Sequence, residues 1–125
     1  MPARKAELNH TIVHARDKTV SATFLARILD LPVGESAVAH FLPVVLTNGV
    51  TLDFMDVDSV QSQHYAFLIS PDAFDAAFAR IKDSGVEHWA DPGHLRPNEV
   101  NHYNGGKGVY FADPDGHNME LLTKA

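Results

Sequence analysis

Apolar and polar residues alternate along residues 8–15, with the two-residue period of a β-strand that is buried on one face. From residue 20 onward the apolar positions recur at helical spacing instead. Asp17 stands where it can cap the start of this helix, and Pro32 ends it. The chain is therefore predicted to begin with a strand, followed by a helix that covers one face of a sheet.

The next part of the chain predicts two strands, over residues 38–46 and 50–57, joined by a turn at Asn48-Gly49. Because proline cannot donate a backbone hydrogen bond, Pro43 indicates that part of the first of these strands lies at a sheet edge or forms a bulge. A further strand within residues 33–46 is left open. The order of this first unit is strand, helix, strand, strand.

A second unit repeats this order from residue 64. Residues 64–70 predict a strand, Ser70-Pro71 begins a helix, and Gly85 suits the left-handed position that follows its end. Three more strands are predicted over 86–90, 108–112 and 118–123. Residues 91–107 form a polar loop rich in Gly, Pro and Asn, in which we expect substrate specificity to lie.

Length and composition limit the classes of protein that this chain can form. A chain of 125 residues with 45% hydrophobic and 21% charged residues predicts one globular domain over 1–125. The net charge of −6 leaves no basic surface for nucleic acid, and no apolar run reaches membrane-spanning length. Because the start also lacks the apolar stretch of a signal peptide, we expect a cytoplasmic protein without a nucleic-acid or membrane partner.

Two histidines and one glutamate occupy equivalent points of the repeated units. His10 and His64 open their strands, and Glu120 lies on the last strand. The alternation places each on the strand face opposite the residues expected to pack against helices. With no cysteine in the chain, any metal must be held by His and carboxylate groups. Two imidazoles and one carboxylate form a facial triad that suits Fe(II), and also Mn(II), Ni(II), Co(II) or Zn(II).

The chain resembles the vicinal oxygen chelate superfamily, the group of glyoxalases, bleomycin-resistance proteins and extradiol dioxygenases. The resemblance covers nearly the whole chain. It rests on Leu8-Asn9-His10, on His64, and most specifically on the segment 108–121, GVYFADPDGHNMEL.

This resemblance implies an α+β fold of tandem βαβββ modules, 6–58 and 62–124, that form a cupped mixed β-sheet with helices on the convex face. It also implies His10, His64 and Glu120 as metal ligands, and homodimers that pack modules across chains. Asp53 stands where glyoxalases carry a fourth ligand, a Glu. Because the Asp side chain is one methylene shorter than Glu, Asp53 is either a fourth ligand or a residue that contacts the ligands without binding the metal itself.

Several other side chains are candidates for the chemistry around such a metal. His14 shares the predicted face of His10 and is a candidate acid or base, as are His102 and Tyr103 on the long loop. Arg96 and Lys107 are candidates for binding an anionic substrate. For each of them a solvated surface position, or for His14 a subunit contact, is the competing interpretation.

The leading functional hypothesis is a divalent-metal enzyme, with Fe(II) favoured, that performs dioxygenase-like chemistry on a small substrate chelating the metal through adjacent oxygens. Two alternatives use other chemistry. One is a glyoxalase-type isomerase or lyase, or a fosfomycin-type thiol transferase, with the same ion. The other is a metal-free protein that binds or sequesters a drug.

Overall fold

The computed structural model describes residues 4–35 and 40–125. Within these ranges the chain forms seven β-strands and two α-helices, with one short 3-10 turn at Tyr103–Gly105. In chain order they are β1 (His10–Ala15), α1 (Lys18–Leu29), β2 (Phe41–Val45), β3 (Thr51–Asp56), β4 (His64–Leu68), α2 (Pro71–Asp83), β5 (His88–Trp89), β6 (Gly108–Ala112) and β7 (Asn118–Leu122).

The described strands form two mixed sheets, one from each repeated unit. The first has the order β1-β3-β2, with β1 parallel to β3 and β2 antiparallel to it. The second has the order β4-β7-β6-β5, with β4 parallel to β7 and the other pairs antiparallel. Within 33–46, where a further strand was left open, residues 36–39 lie outside the described residues.

Both helices begin where the sequence predicts. The Asp17 side chain accepts hydrogen bonds from the N–H groups of Thr19 and Val20 at the start of α1. Ser70 caps α2 in the same way by accepting from Ala73. The helix α1 ends earlier than Pro32, because Asp30 adopts a left-handed conformation with φ 56°.

One hydrophobic core joins both sheets and both helices. On β4 and β7 the side chains of Phe67, Met119 and Leu121 enter this core, as their alternation predicts. Phe74 and Ile81 of α2 meet them there. The predicted α+β fold class is confirmed. In the described part of the chain, neither helix has the length and apolar character needed to cross a lipid bilayer.

The turn between β6 and β7 fastens the second unit to the first. Asp115 accepts hydrogen bonds from the backbone N–H of Arg16, at 3.0 Å, and from the hydroxyl of Ser21 on α1. Asp113 shapes the turn itself, because its Oδ1 accepts from the N–H groups of Asp115 and His117. This turn sets the position of the strand that carries Glu120.

Candidate metal centre

A row of four side chains crosses the face of the second sheet that lies opposite the core, which we call the open face. Strand pairing aligns Ala66 with Glu120, Glu120 with Tyr110, and Tyr110 with Trp89. Directly paired residues project to the same side of a sheet, so these four share the open face. His64 lies one row away, paired with Asn118.

His64 and Glu120 point toward each other across β4 and β7. The distance from His64 Nε2 to Glu120 Oε1 is 2.9 Å. The glutamate side chain is only 12% exposed, whereas that of the histidine is 49% exposed. A carboxylate withdrawn from water in this way needs a hydrogen bond or a cation to offset its lost hydration. The pair therefore offers one nitrogen and one oxygen donor at a single point that solvent reaches from the His64 side.

Tyr110 supports the glutamate from β6. Burial raises the pKa of its hydroxyl to about 12, and the neighbouring Glu120 carboxylate, to which it is hydrogen-bonded, adds to the shift. The hydroxyl is protonated at neutral pH, as it would be even at the ordinary pKa of 10, and it donates to the carboxylate. The Tyr110 and His64 rings are also in contact, with centroids 5.8 Å apart. Tyr110 thus touches both members of the pair.

His10 lies on the other sheet, on the face that it shares with Ile12 and His14. Its Nδ1 is 2.8 Å from Asn9 Oδ1, and the residue is exposed. Asp53 pairs with Ile12 in the same sheet and is half-buried. No three His, Asp or Glu side chains among residues 4–35 and 40–125 come together as a metal site. One chain therefore brings together His64 and Glu120 but not His10.

His14, like His10, lies on β1. It lines a cavity of about 330 Å³ between β1 and β4, and His64 lines the same cavity. The other lining residues are Thr11, Ile12, Gln61, Gln63, Tyr65 and His117. His14 is therefore the only one of the three candidate acid or base residues that borders this cavity within the described chain.

His102 and Tyr103 lie on the long loop, at the short 3-10 turn. His102 Nδ1 is 3.1 Å from the carbonyl oxygen of Gly106, and both residues are exposed, Tyr103 to 47%. Tyr103 lies near enough to Tyr110 to contribute to the raised pKa of that hydroxyl. The long loop therefore brings a tyrosine to the rim of the open face.

The two candidate anion-binding side chains are engaged elsewhere. Lys107 Nζ is 3.0 Å from Asp75 on α2, on the helix side of the sheet. Arg96 pairs with Glu99 at 3.1 Å within the loop. Both cations form exposed ion pairs in this structure, and their role in binding an anionic substrate stays a prediction. Asp75 lies 32 residues from Lys107, so the sequence alone did not indicate it as a partner.

Three residues of the open face were not singled out as site residues from the sequence: Tyr110, Asn118 and His94. The sequence pattern could have predicted the position of Tyr110. Its neighbours Val109 and Phe111 are core residues, so strand alternation places Tyr110 on the face of Glu120. No such pattern predicts the position of His94. Its ring stacks on Trp89 at a centroid distance of 3.7 Å, and its Nε2 is 2.9 Å from Asn118 Oδ1.

Comparison with known proteins identifies the family. Residues 7–121 match the model of the Glyoxalase/Bleomycin resistance protein/Dioxygenase superfamily. The chain belongs to this superfamily. The resemblance read from the sequence is thereby confirmed, and the match covers both repeated units.

Individual members of the superfamily that resemble this chain bear the names of enzymes. A solved structure named oxidase ChaP-H2 is 52% identical, with a TM-score of 0.94 over 98% of this chain and 96% of that one. Glutathione transferase FosA of Serratia marcescens is 28% identical over 120 residues, 91% of this chain and 78% of that protein. Metallothiol transferase FosB of Bacillus licheniformis is 26% identical over 125 residues, 93% of this chain and 74% of that protein.

Proposed function

We propose that this protein is a metal-dependent oxidative enzyme that acts on a small substrate chelating a divalent cation through adjacent oxygens. The observation that carries the proposal is the His64–Glu120 pair on the open face, in a chain that is 52% identical to an oxidase over nearly its whole length. This identity is about twice that to either thiol transferase, which favours the oxidative branch.

The donor set fits a divalent cation. An imidazole nitrogen and a carboxylate oxygen lie 2.9 Å apart, and the side chain that carries the carboxylate is only 12% exposed. When bound, the cation supplies Lewis acidity toward the substrate oxygens and, if it is Fe(II), access to O₂. Fe(II) is the favoured ion, with Mn, Ni, Co or Zn as alternatives of the same donor preference.

We assign the third ligand to His10 of a second copy of the chain. Within one described chain His10 is on the other sheet, and no third His, Asp or Glu joins the pair. A two-fold symmetric homodimer can bring two faces together: the face of the first sheet that carries His10 in one copy, and the open face of the second sheet in the other. That face of the first sheet carries exposed apolar residues, Ile12 at 41% and Val45 at 51%, as expected for a contact surface.

The residues around the pair have different roles in the proposed reaction. Glu120 and His64 hold the cation, and Tyr110 orients the glutamate through its hydroxyl, as outer hydrogen bonds commonly do for metal ligands. His14 accepts a proton from a substrate hydroxyl at a ring nitrogen, because it borders the same cavity as His64. Tyr103 closes the rim from the long loop, and His102 beside it is a second proton acceptor.

A thiol transferase is the second candidate. The similarity to FosA and FosB extends over more than nine-tenths of this chain. The same metal site would then orient an electrophile, such as the epoxide of fosfomycin, for attack by a thiol. The chain itself has no cysteine, so the thiol must come from a co-substrate.

The test is purification without oxygen, elemental analysis and two activity assays on the Fe(II)-loaded protein. We expect a bound divalent metal and O₂ consumption with a panel of catechols, both lost in His64→Ala and Glu120→Ala. Thiol-dependent turnover of fosfomycin without O₂ consumption would replace the oxidative proposal with the second candidate. Stoichiometric metal in both variants would defeat the metal site altogether.

A further inference from the structure

The loop that follows β5 folds an imidazole ring over the open face. The rings of Trp89 and His94 are nearly parallel, with 3.7 Å between centroids and 4° between planes. Trp89 is half-buried and His94 is exposed. One face of the His94 ring is therefore covered by the indole, while the residue as a whole stays exposed to solvent.

This ring stands beside the proposed metal ligands. Trp89 belongs to the same row of the sheet as Glu120, two strands away, a separation on the order of 10 Å. His94 bridges part of that gap, because its Nε2 is hydrogen-bonded to Asn118 of β7 at 2.9 Å. Asn118 is in turn the strand partner of His64. The imidazole thus lies over the sheet between Trp89 and the ligand pair.

The loop holds His94 in place before any ligand arrives. The Asp91 carboxylate accepts hydrogen bonds from the N–H groups of Leu95 and Arg96, at 2.9 and 2.8 Å. These hydrogen bonds keep the pKa of the Asp91 carboxyl below its ordinary value, and the bond from Leu95 has the largest effect. His94 itself has φ 60°, a left-handed conformation that is uncommon for residues other than glycine and recurs at functional sites. A ring fixed in this way loses little freedom when another ring stacks on it.

We propose that the His94 ring, with Trp89 stacked behind it, is a platform that selects substrates with a planar aromatic ring next to their metal-binding oxygens. The inference rests on the proposed function, since the metal determines where those oxygens bind. A ring joined to a chelating group at His64 and Glu120 and extending toward β5 meets His94. An aliphatic substrate with the same chelating group makes no such contact.

Three hydroxamates that share one chelating group test the platform. Acetohydroxamate has no ring, benzohydroxamate has one, and 2-naphthohydroxamate has two fused rings. Calorimetric titration of the Zn²⁺-loaded protein is expected to show 2-naphthohydroxamate binding about 10-fold more tightly than acetohydroxamate, with benzohydroxamate between them. Equal affinity for all three compounds would overturn the platform.

Two variants of the same loop assign the effect to the ring. His94→Asn retains a polar side chain that tolerates positive φ but removes the aromatic face. It is expected to reduce the ratio of affinities to within about twofold while leaving acetohydroxamate binding unchanged. Leu95→Ala, at a neighbouring position that is 83% exposed, is expected to keep the ratio of the unmodified protein. A ratio unchanged in His94→Asn, or equal weakening of all three compounds, would contradict the proposal.

A metal-free titration in EDTA separates this proposal from the proposed function. If acetohydroxamate binding does not depend on metal, the metal site is wrong. A preference for 2-naphthohydroxamate that persists in EDTA and is lost in His94→Asn would still support the platform. Trp89 is the single tryptophan of the chain, so its fluorescence reports the stack directly. Emission that is identical in His94→Asn and the unmodified protein would show that the rings are not stacked, and would overturn the platform.

Discussion

The ring of His117 joins the two repeated units by bonding to the backbone carbonyl of His14. Its Nε2 lies 2.8 Å from that oxygen, and its Nδ1 accepts a hydrogen bond from the N–H of Gln63 at 3.0 Å. Since Nδ1 accepts, the ring proton is on Nε2 and is donated to His14. One fully buried imidazole therefore ties β1 to the residue before β4, and so fixes how the cavity beside His64 is shaped.

Removing this ring should loosen the connection between the units. His117→Ala deletes two hydrogen bonds and leaves a cavity, and we expect it to lower the free energy of unfolding by about 3 kcal/mol. Urea unfolding followed by circular dichroism measures the change. His14→Ala is the matched control, because it removes a side chain and keeps the backbone carbonyl. Similar stability in His117→Ala and His14→Ala would contradict the bridging role.

Asp113 predicts a specific dependence of stability on pH. Burial raises the pKa of its carboxyl above the ordinary value of 3.8, against the lowering effect of the His117 N–H. Within the described chain its Oδ2 has no hydrogen-bond partner. The stability that this group contributes is complete below its ordinary pKa and is lost as pH rises through the folded value.

Asp113→Asn keeps an oxygen that can accept from the N–H groups of Asp115 and His117 but carries no charge. Unfolding free energies measured between pH 3 and pH 7 should therefore show the variant gaining stability relative to the unmodified protein as pH rises. Asp113→Ala, which leaves both N–H groups without an acceptor, should be less stable than Asp113→Asn throughout. A constant difference between Asp113→Asn and the unmodified protein would show that the carboxyl titrates normally.

Tyr110 is predicted to act on metal affinity through Glu120. Tyr110→Phe removes the hydroxyl that is hydrogen-bonded to the carboxylate and leaves the ring, so we expect the affinity for Zn²⁺ to fall about 10- to 100-fold. Competition with a chromogenic chelator measures it. Tyr65→Phe removes a hydroxyl from the other face of β4 and should change the affinity less than about twofold. Equal effects of the two variants would exclude a specific role for Tyr110.

The sequence predicted the parts of this fold that depend on local patterns. Alternation placed Phe67 and Met119 in the core, and the caps of both helices followed from Asp17 and Ser70. It did not predict contacts between residues far apart in the chain. The ion pair of Lys107 with Asp75 is one example, because nothing near either residue marks the other.

The candidate site was also predicted from the sequence only in part. The faces of His64 and Glu120 followed from strand periodicity, and their 2.9 Å approach agrees with it. The position of His10 did not follow, because no local pattern specifies how two sheets, or two chains, face each other. His94 was missed for another reason: its stacking on Trp89 depends on a left-handed backbone that only the folded loop imposes.

Mixing two inactive variants tests the central claim, a metal site divided between two copies. His10→Ala and His64→Ala should each fail to bind metal alone. In a mixed dimer one site carries both defects, and the other combines an intact His10 with an intact His64 and Glu120. Co-expression with two affinity tags, followed by elemental analysis of the mixed dimer, should recover about one metal ion per dimer. Mixed dimers without metal, or single variants that retain it, would contradict the account.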